Sequence, residues 1–252
     1  MRSRRFLLFA ILSVFSFISA GLFIPIGPPA AQAAGSGCDC SGSYVAAASK
    51  APSVSAPAQG STSPGGTYTL SVSSSSLTVK DKSGHTLLNL TGLTADFQAG
   101  FSPNDNGFAV WSQSTSGGHV ALYNLASKTP SSPVWTNDYT GTYSVGFSPK
   151  GTYFLVAASA NAQYTSLIVV NATTGAQAYN DQVPGNTNWG FSPDEDRLAI
   201  WTGNNPSAGS TIILYDLAAH RQVWRDDGSF GSVSLAFSPH GAYLAAAAIT
   251  NG

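Results

Sequence analysis

The tripeptide Phe-Ser-Pro occurs four times, at Phe101, Phe147, Phe191 and Phe237, with steps of 46, 44 and 46 residues. Two further marks keep the same period. Asp81, Asn124, Asn171 and Asp216 are spaced by 43, 47 and 45 residues, each behind a short apolar run, and Trp135, Tyr179 and Trp224 by 44 and 45. Three independent marks on one period define a repeated supersecondary unit.

Each unit reads as four short strands. Ser232–Phe237 alternates Val233, Leu235 and Phe237 with small or polar residues, the period-two pattern of a strand. Ser238-Pro239-His240-Gly241 follows as a turn, because proline presets φ and glycine tolerates its positive range. One unit earlier, residues 197–201, 211–215 and 222–224 supply the second, third and fourth strands. Asp216 and its equivalents open the turn between the last two, where a short acceptor side chain bonds N–H groups two residues on. Four strands on a period of this length predict an all-β chain, a β-propeller of four-stranded antiparallel blades with about four blades visible.

The ends of the array do not match. Residues 68–73, 77–80 and 86–90 read as the last three strands of a blade, and residues 242–250 as the second strand of another. Both ends thus offer a second strand, and the expectation is an incomplete propeller that continues beyond Gly252. A four-bladed ring with a redundant tail is the alternative.

On Phe147-Ser-Pro-Lys-Gly151 and Leu214-Tyr215-Asp216-Leu217 the chain resembles the WD-repeat β-propeller family, and more loosely the Ser-Pro-Asp-Gly propellers of bacterial envelope proteins, over residues 67–252. Tyr215-Asp216 stands where that family has Trp-Asp. The family also carries a Gly-His dipeptide before each first strand, whose histidine joins a buried network with the aspartate. Here Gly118-His119 precedes a third strand instead.

Arg2, Arg4 and Arg5, an apolar run over residues 6–24 and Ala31-Gln32-Ala33 have the order of a signal peptide, assigned to residues 1–33. The predicted location is secreted or extracytoplasmic. The 19-residue run is longer than the 7–15 of an ordinary signal core, so an uncleaved membrane anchor over residues 6–24 is the alternative. Pro25, Pro28 and Pro29 favour cleavage. Residues 34–66, rich in Ser, Ala, Pro and Gly, read as a disordered linker, and 67–252 as the propeller. Cys38 and Cys40 are the only cysteines, too few for a structural zinc site.

Without residues 1–33, lysines and arginines fall from 11 to 8 against 12 acids, a formal charge of −4. That balance favours neither nucleic acid nor an anionic membrane as partner. No nucleophile elbow, Ser-x-x-Lys pair, zinc helix or phosphate-binding loop is present, so the visible sequence leans away from an enzyme without deciding it, and no cofactor is expected. Asp194-Glu195-Asp196 lacks the alternating ligands of a calcium loop.

The remaining candidates lie where fourth strands lead into first strands and second into third, at one end of every blade. They are Asp138, Tyr139, Tyr164, Asp181, Asn204, Asn205, Asp226, Asp227 and Phe230. Carboxylates and amides among aromatics suit a polar or carbohydrate-like ligand. The function expected is an extracytoplasmic binding scaffold for a protein or surface polymer. The alternative is a substrate-gating propeller of a secreted hydrolase whose catalytic domain lies beyond residue 252.

Overall fold

The computed structural model describes residues 19–25, 61–94, 96–114, 117–161, 163–185, 187–202, 210–228 and 232–249. Residues 1–18 and 26–60, with Cys38 and Cys40, and Asn204, Asn205 and Phe230 lie outside the described residues. Among those described there are strands and no helix.

Strand β1 (Ser19–Pro25) stands apart in sequence, and the others fall into five successive groups. The first sheet holds β2 (Tyr68–Val72), β3 (Ser76–Asp81) and β4 (Thr86–Thr91). The second holds β5 (Phe97–Phe101), β6 (Gly107–Ser114), β7 (Gly117–Asn124) and β8 (Trp135–Tyr139). The third holds β9 (Thr142–Phe147), β10 (Tyr153–Asn161), β11 (Tyr164–Asn171) and β12 (Gln177–Pro184). The fourth holds β13 (Thr187–Phe191), β14 (Arg197–Thr202), β15 (Ser210–Asp216) and β16 (Arg221–Gly228). The last pairs β17 (Ser232–Phe237) with β18 (Tyr243–Ile249), and the backbone of β1 runs antiparallel along the other edge of β18. All pairing is antiparallel between sequence neighbours, β1 excepted.

Because successive strand residues point to opposite faces, each central sheet serves two cores. Leu70, Val79, Leu88, Phe108 and Tyr123 fill the space between the first and second sheets. Trp111, Leu122, Phe147, Phe154 and Val170 fill the next, then Leu155, Leu167, Phe191, Leu198 and Ile213, then Trp201, Leu214, Leu235 and Leu244. Phe154 and Leu155 are neighbours in one strand and belong to different cores. Phe147 and Phe191 are buried, as their place in the repeat predicts. No hydrophobic cluster among the described residues joins the fifth sheet back to the first, so the sheets form an open arc rather than a four-bladed ring.

The Ser-Pro turn occurs five times, one more than Phe-Ser-Pro suggests. Ser63-Pro64-Gly65-Gly66, read from sequence as the end of the linker, folds like the other four. In each, the serine hydroxyl accepts a backbone N–H five residues on: from Tyr68, Gly107, Tyr153, Arg197 and Tyr243 at 2.7–3.0 Å. The fourth residue of each turn has positive φ: Gly66, Asp105, Gly151, Glu195 and Gly241. Glycine and an acid therefore alternate around the arc.

The acids are buried and reach back to the turn of the preceding sheet. Asp105 accepts from the Gly65 amide at 2.9 Å, the Ser63 hydroxyl at 2.9 Å and the Thr67 amide at 3.3 Å. Glu195 accepts the amide of Lys150, the residue equivalent to Gly65. Burial works to raise the carboxyl of Asp105, but the donors from Gly65, Thr67 and Ser63 outweigh it and hold it below the usual range. A Cβ on Gly65 would lie 2.6 Å from the Asp105 carboxylate, so the shorter acid requires glycine there. Glutamate, one methylene longer, reaches past a side chain at Lys150. The ring of the glycine-type turn's tyrosine stacks on the next sheet's phenylalanine in both cases: Tyr68 on Phe101 at 6.4 Å, Tyr153 on Phe191 at 6.3 Å.

At the same end of the blades, where the third strands finish, the expected turn chemistry is present. Asp81 accepts from the amides of Ser83 and His85, Asn124 from Ala126, Asn171 from Thr173 and Thr174, and Asp216 from Ala219, all at 2.8–3.0 Å. Asp216 also pairs with Arg197 at 3.1 Å, both largely buried. An arginine of the neighbouring strand thus stands opposite the aspartate that a histidine would serve in the WD-repeat pattern.

Candidate functional site

The end of the blades away from the Ser-Pro turns carries most of the sequence candidates. In the second and third sheets, Asp138 and Tyr139 close β8 and Tyr143 lies at the start of β9. Gly141 turns the chain between them with φ of 80°, and a Cβ there would lie 2.3 Å from the Ser159 carbonyl oxygen of the adjacent hairpin. The strands therefore meet backbone to backbone. Asp138 lies beside its register partner His119, Oδ1 to Nδ1 2.7 Å, with both side chains exposed. Tyr139 and Tyr143 pack with ring centres 5.7 Å apart, and the Tyr143 hydroxyl donates to the Ser112 carbonyl. Burial pushes both phenols up to about 12, helped for Tyr143 by Tyr139. At neutral pH both are neutral donors and cannot serve as bases.

Tyr164 heads the β10–β11 hairpin. The Asn161 side chain accepts the amides of Gln163 and Tyr164 at 3.0 and 3.2 Å, a turn that leaves the tyrosine 51% exposed. Below it, Thr165 Oγ1 donates to the Gly185 carbonyl at 2.8 Å and ties the hairpin to the end of β12. Asp181 does not sit at this end. It pairs with Leu167, three positions in from Tyr164↔Pro184, on the outermost strand of the third sheet.

In the fourth sheet Asp227 is gripped from two sides, by Arg225 Nε at 2.9 and 3.0 Å and by Thr211 Oγ1 at 2.8 Å. The hydrogen bonds from Arg225 and then Thr211 hold its carboxyl below the usual range. Asp226 is half-buried beside it. Across the joint, Tyr179 is pushed up first by burial and then by Asp181, and Asp181 also acts on Arg225. Arg225 is bonded to Asp227, and Asp181 acts on it only at longer range.

The structure brings Asp138 together with Tyr139, while Asp227 is held by Arg225 and Thr211 and Asp181 lies apart on the outermost strand of the third sheet, and no hydrogen bond or ion pair among the described residues links these groups. Asp194 and Glu195 are not poised for calcium: Asp194 accepts from Ser192, and Glu195 is engaged by the Lys150 amide. Sequence reasoning missed His119 and Arg225, whose only signal is their register opposite Asp138 and beside Asp227.

No family model and no curated protein matches the chain. Solved structures do. A eukaryotic initiation factor matches at 14% identity and a TM-score of 0.51, covering 76% of this chain and 50% of that one. The Dos1 propeller matches at 12% and 0.43, covering 71% and 49%. The β-propeller domain of the Trilobed protease from Pyrococcus furiosus matches at 8% and 0.42, covering 68% and 55%. The chain spans about half the length of these structures. At such identities the likeness bears on fold alone, and with five antiparallel sheets packed face to face in chain order, that fold is the β-propeller.

Proposed function

We propose that this chain is an exported binding scaffold, a divergent WD-repeat-like propeller of bacterial Phe-Ser-Pro-x-Gly type, which holds a protein or surface polysaccharide on the blade ends carrying Asp138, Tyr139, Tyr164 and Asp227. One observation supports this reading above the others. The titratable groups there are matched to one another, Asp138 to His119 and Asp227 to Arg225, while Tyr139 and Tyr143 are held protonated, an arrangement suited to orienting a ligand. Export rests on the basic start, the apolar run and Ala31-Gln32-Ala33.

Protein recovered from outside the cytoplasm of a bacterial host should begin at Ala34, and an intact Met1 in the membrane fraction would favour the anchor. The recovered protein, screened against glycan and peptide arrays, should retain a ligand that Tyr164→Ala and Asp138→Asn weaken together. A ligand indifferent to both substitutions would overturn the assignment of this face.

A further inference from the structure

The joint between the second and third sheets closes less completely than the joint that follows it. Strand alternation puts Tyr164, Ser166 and Ile168 of β11 on the face toward the second sheet, where Ile168 packs on the shared core. It puts Thr165, Leu167 and Val169 on the face toward the fourth sheet. The second trio is buried, whereas Ser166 and Ile168 are only half-buried and Tyr164 is exposed. Thr211 and Ile213, the repeat equivalents of Ser166 and Ile168 one sheet on, are buried against the third sheet. A groove therefore runs beside β11 at an inner joint of the array. One wall carries Asn180 and Gln182, register partners of Ile168 and Ser166, and the facing wall carries Asn137 and Tyr139, partners of Val120 and Gly118. These walls bear no charge, because Asp181 and Asp138 alternate onto the opposite faces beside Leu167 and His119. The next joint instead holds Asp181, Arg225 and Asp227. Tyr139 Oη is buried with no hydrogen-bond partner, and an enclosed donor without an acceptor is uncommon. At the mouth, the Asn161 turn and the Thr165 bond to Gly185 hold the Tyr164 ring out from the hairpin.

We infer that this groove binds an uncharged polysaccharide of β-linked pyranose rings with equatorial hydroxyls, one ring stacking on Tyr164 while the amides of Asn137 and Gln182 bond the hydroxyls of its neighbours. The inference rests on the ligand face proposed above and names the chemistry of its ligand. Equatorial hydroxyls leave the two faces of a pyranose as flat C–H surfaces, which match an exposed aromatic ring. Amide side chains both donate and accept, as sugar hydroxyls do. A charged sugar would lose water here and gain no counter-charge, and an arginine anchor from a protein partner would meet no carboxylate on either wall.

The test titrates the full chain by calorimetry with cellohexaose and N-acetylchitohexaose, and with oligogalacturonate and a chitosan oligomer as charged counterparts. At least one neutral oligomer should bind more tightly than either charged one, with an affinity that added salt leaves unchanged. Tyr164→Ala should weaken it about tenfold without lowering the melting temperature, and Tyr164→Phe should keep it. Gln182→Ala should weaken it about fivefold through a lost hydrogen bond, whereas Asp181→Asn, on the opposite face of the same strand, should leave it unchanged. Binding of neither neutral oligomer, binding that Tyr164→Ala leaves intact, or preference for a charged oligomer would overturn the inference. A peptide bound in place of any glycan and weakened by Tyr164→Ala would overturn it too, while leaving the ligand face standing. A ligand indifferent to both Tyr164→Ala and Asp138→Asn would remove the face and the inference together.

Discussion

The first and fifth sheets both start with a glycine-type turn, but they end the arc differently. The outward face of the first sheet is polar. Thr69, Ser71, Lys80 and Asn89 are exposed there, and Thr78 Oγ1 bonds Asn89 Oδ1 at 3.2 Å. The outward face of the fifth carries Ala236, Ala245, Ala247 and the exposed Tyr243. In a stacked array each unit is stabilised by its neighbours, and a terminal unit stands in water only if its outer face is polar. By that criterion the outward face of the first sheet suits water and that of the fifth suits a packed neighbour.

The largest expected contrast is between an inner joint and the fifth sheet. Phe191→Ala should cost about 3–5 kcal/mol in denaturant melts, since the ring is buried between two sheets. Phe237→Ala, at the same repeat position but half-buried, should cost about 1 kcal/mol. Equal losses would show that the last sheet is as well covered as the inner ones.

Next comes the acid clasp on the first sheet. Asp105→Ala leaves the Gly65 amide and Ser63 hydroxyl without their acceptor and should cost about 1–3 kcal/mol. The pH dependence has a definite sign. Asp105 is depressed in the fold, so its contribution is complete above the unfolded value of about 4 and is lost as pH falls through the lower folded value. Thermal melts between pH 7 and 2 should therefore fall less steeply at the acid end for Asp105→Asn than for the parent.

Smaller still is the difference between equivalent tyrosines. Tyr68→Ser should cost about 1 kcal/mol through lost stacking on Phe101. Tyr243→Ser should stay within about 0.5 kcal/mol and should reduce light scattering of concentrated samples. Arg225→Ala, which breaks a largely exposed pair with Asp227, should change stability by less than about 0.5 kcal/mol and sets the floor for the series.

Much of the fold was legible because blade packing repeats the same demands in the same order. Phe147 and Phe191 announced the inner strands, and Asp81, Asn171 and Asp216 announced the outer turns. The fifth Ser-Pro turn was hidden because Ser63 is preceded by Thr62 rather than phenylalanine and sits in a stretch whose composition reads as a linker. The alternation of acid and glycine was visible as letters but had no meaning until Asp105 and Gly65 were seen to touch. The candidate site was legible only as a set of loop ends. Register decides which of those residues meet, and it placed Asp138 opposite His119 while carrying Asp181 away from the blade end.

The alternation of turns also constrains how such an array can be lengthened or shortened. Losing or gaining a single sheet would set glycine turn against glycine turn, leaving an amide unmatched, or acid turn against acid turn, with buried carboxylates and no donors between them. Losing or gaining two at once preserves every clasp. The unit that keeps every clasp is thus a pair of sheets, so a variant lengthened or shortened by two repeats of the Phe-Ser-Pro period should keep its buried acids matched, and one changed by a single repeat should not.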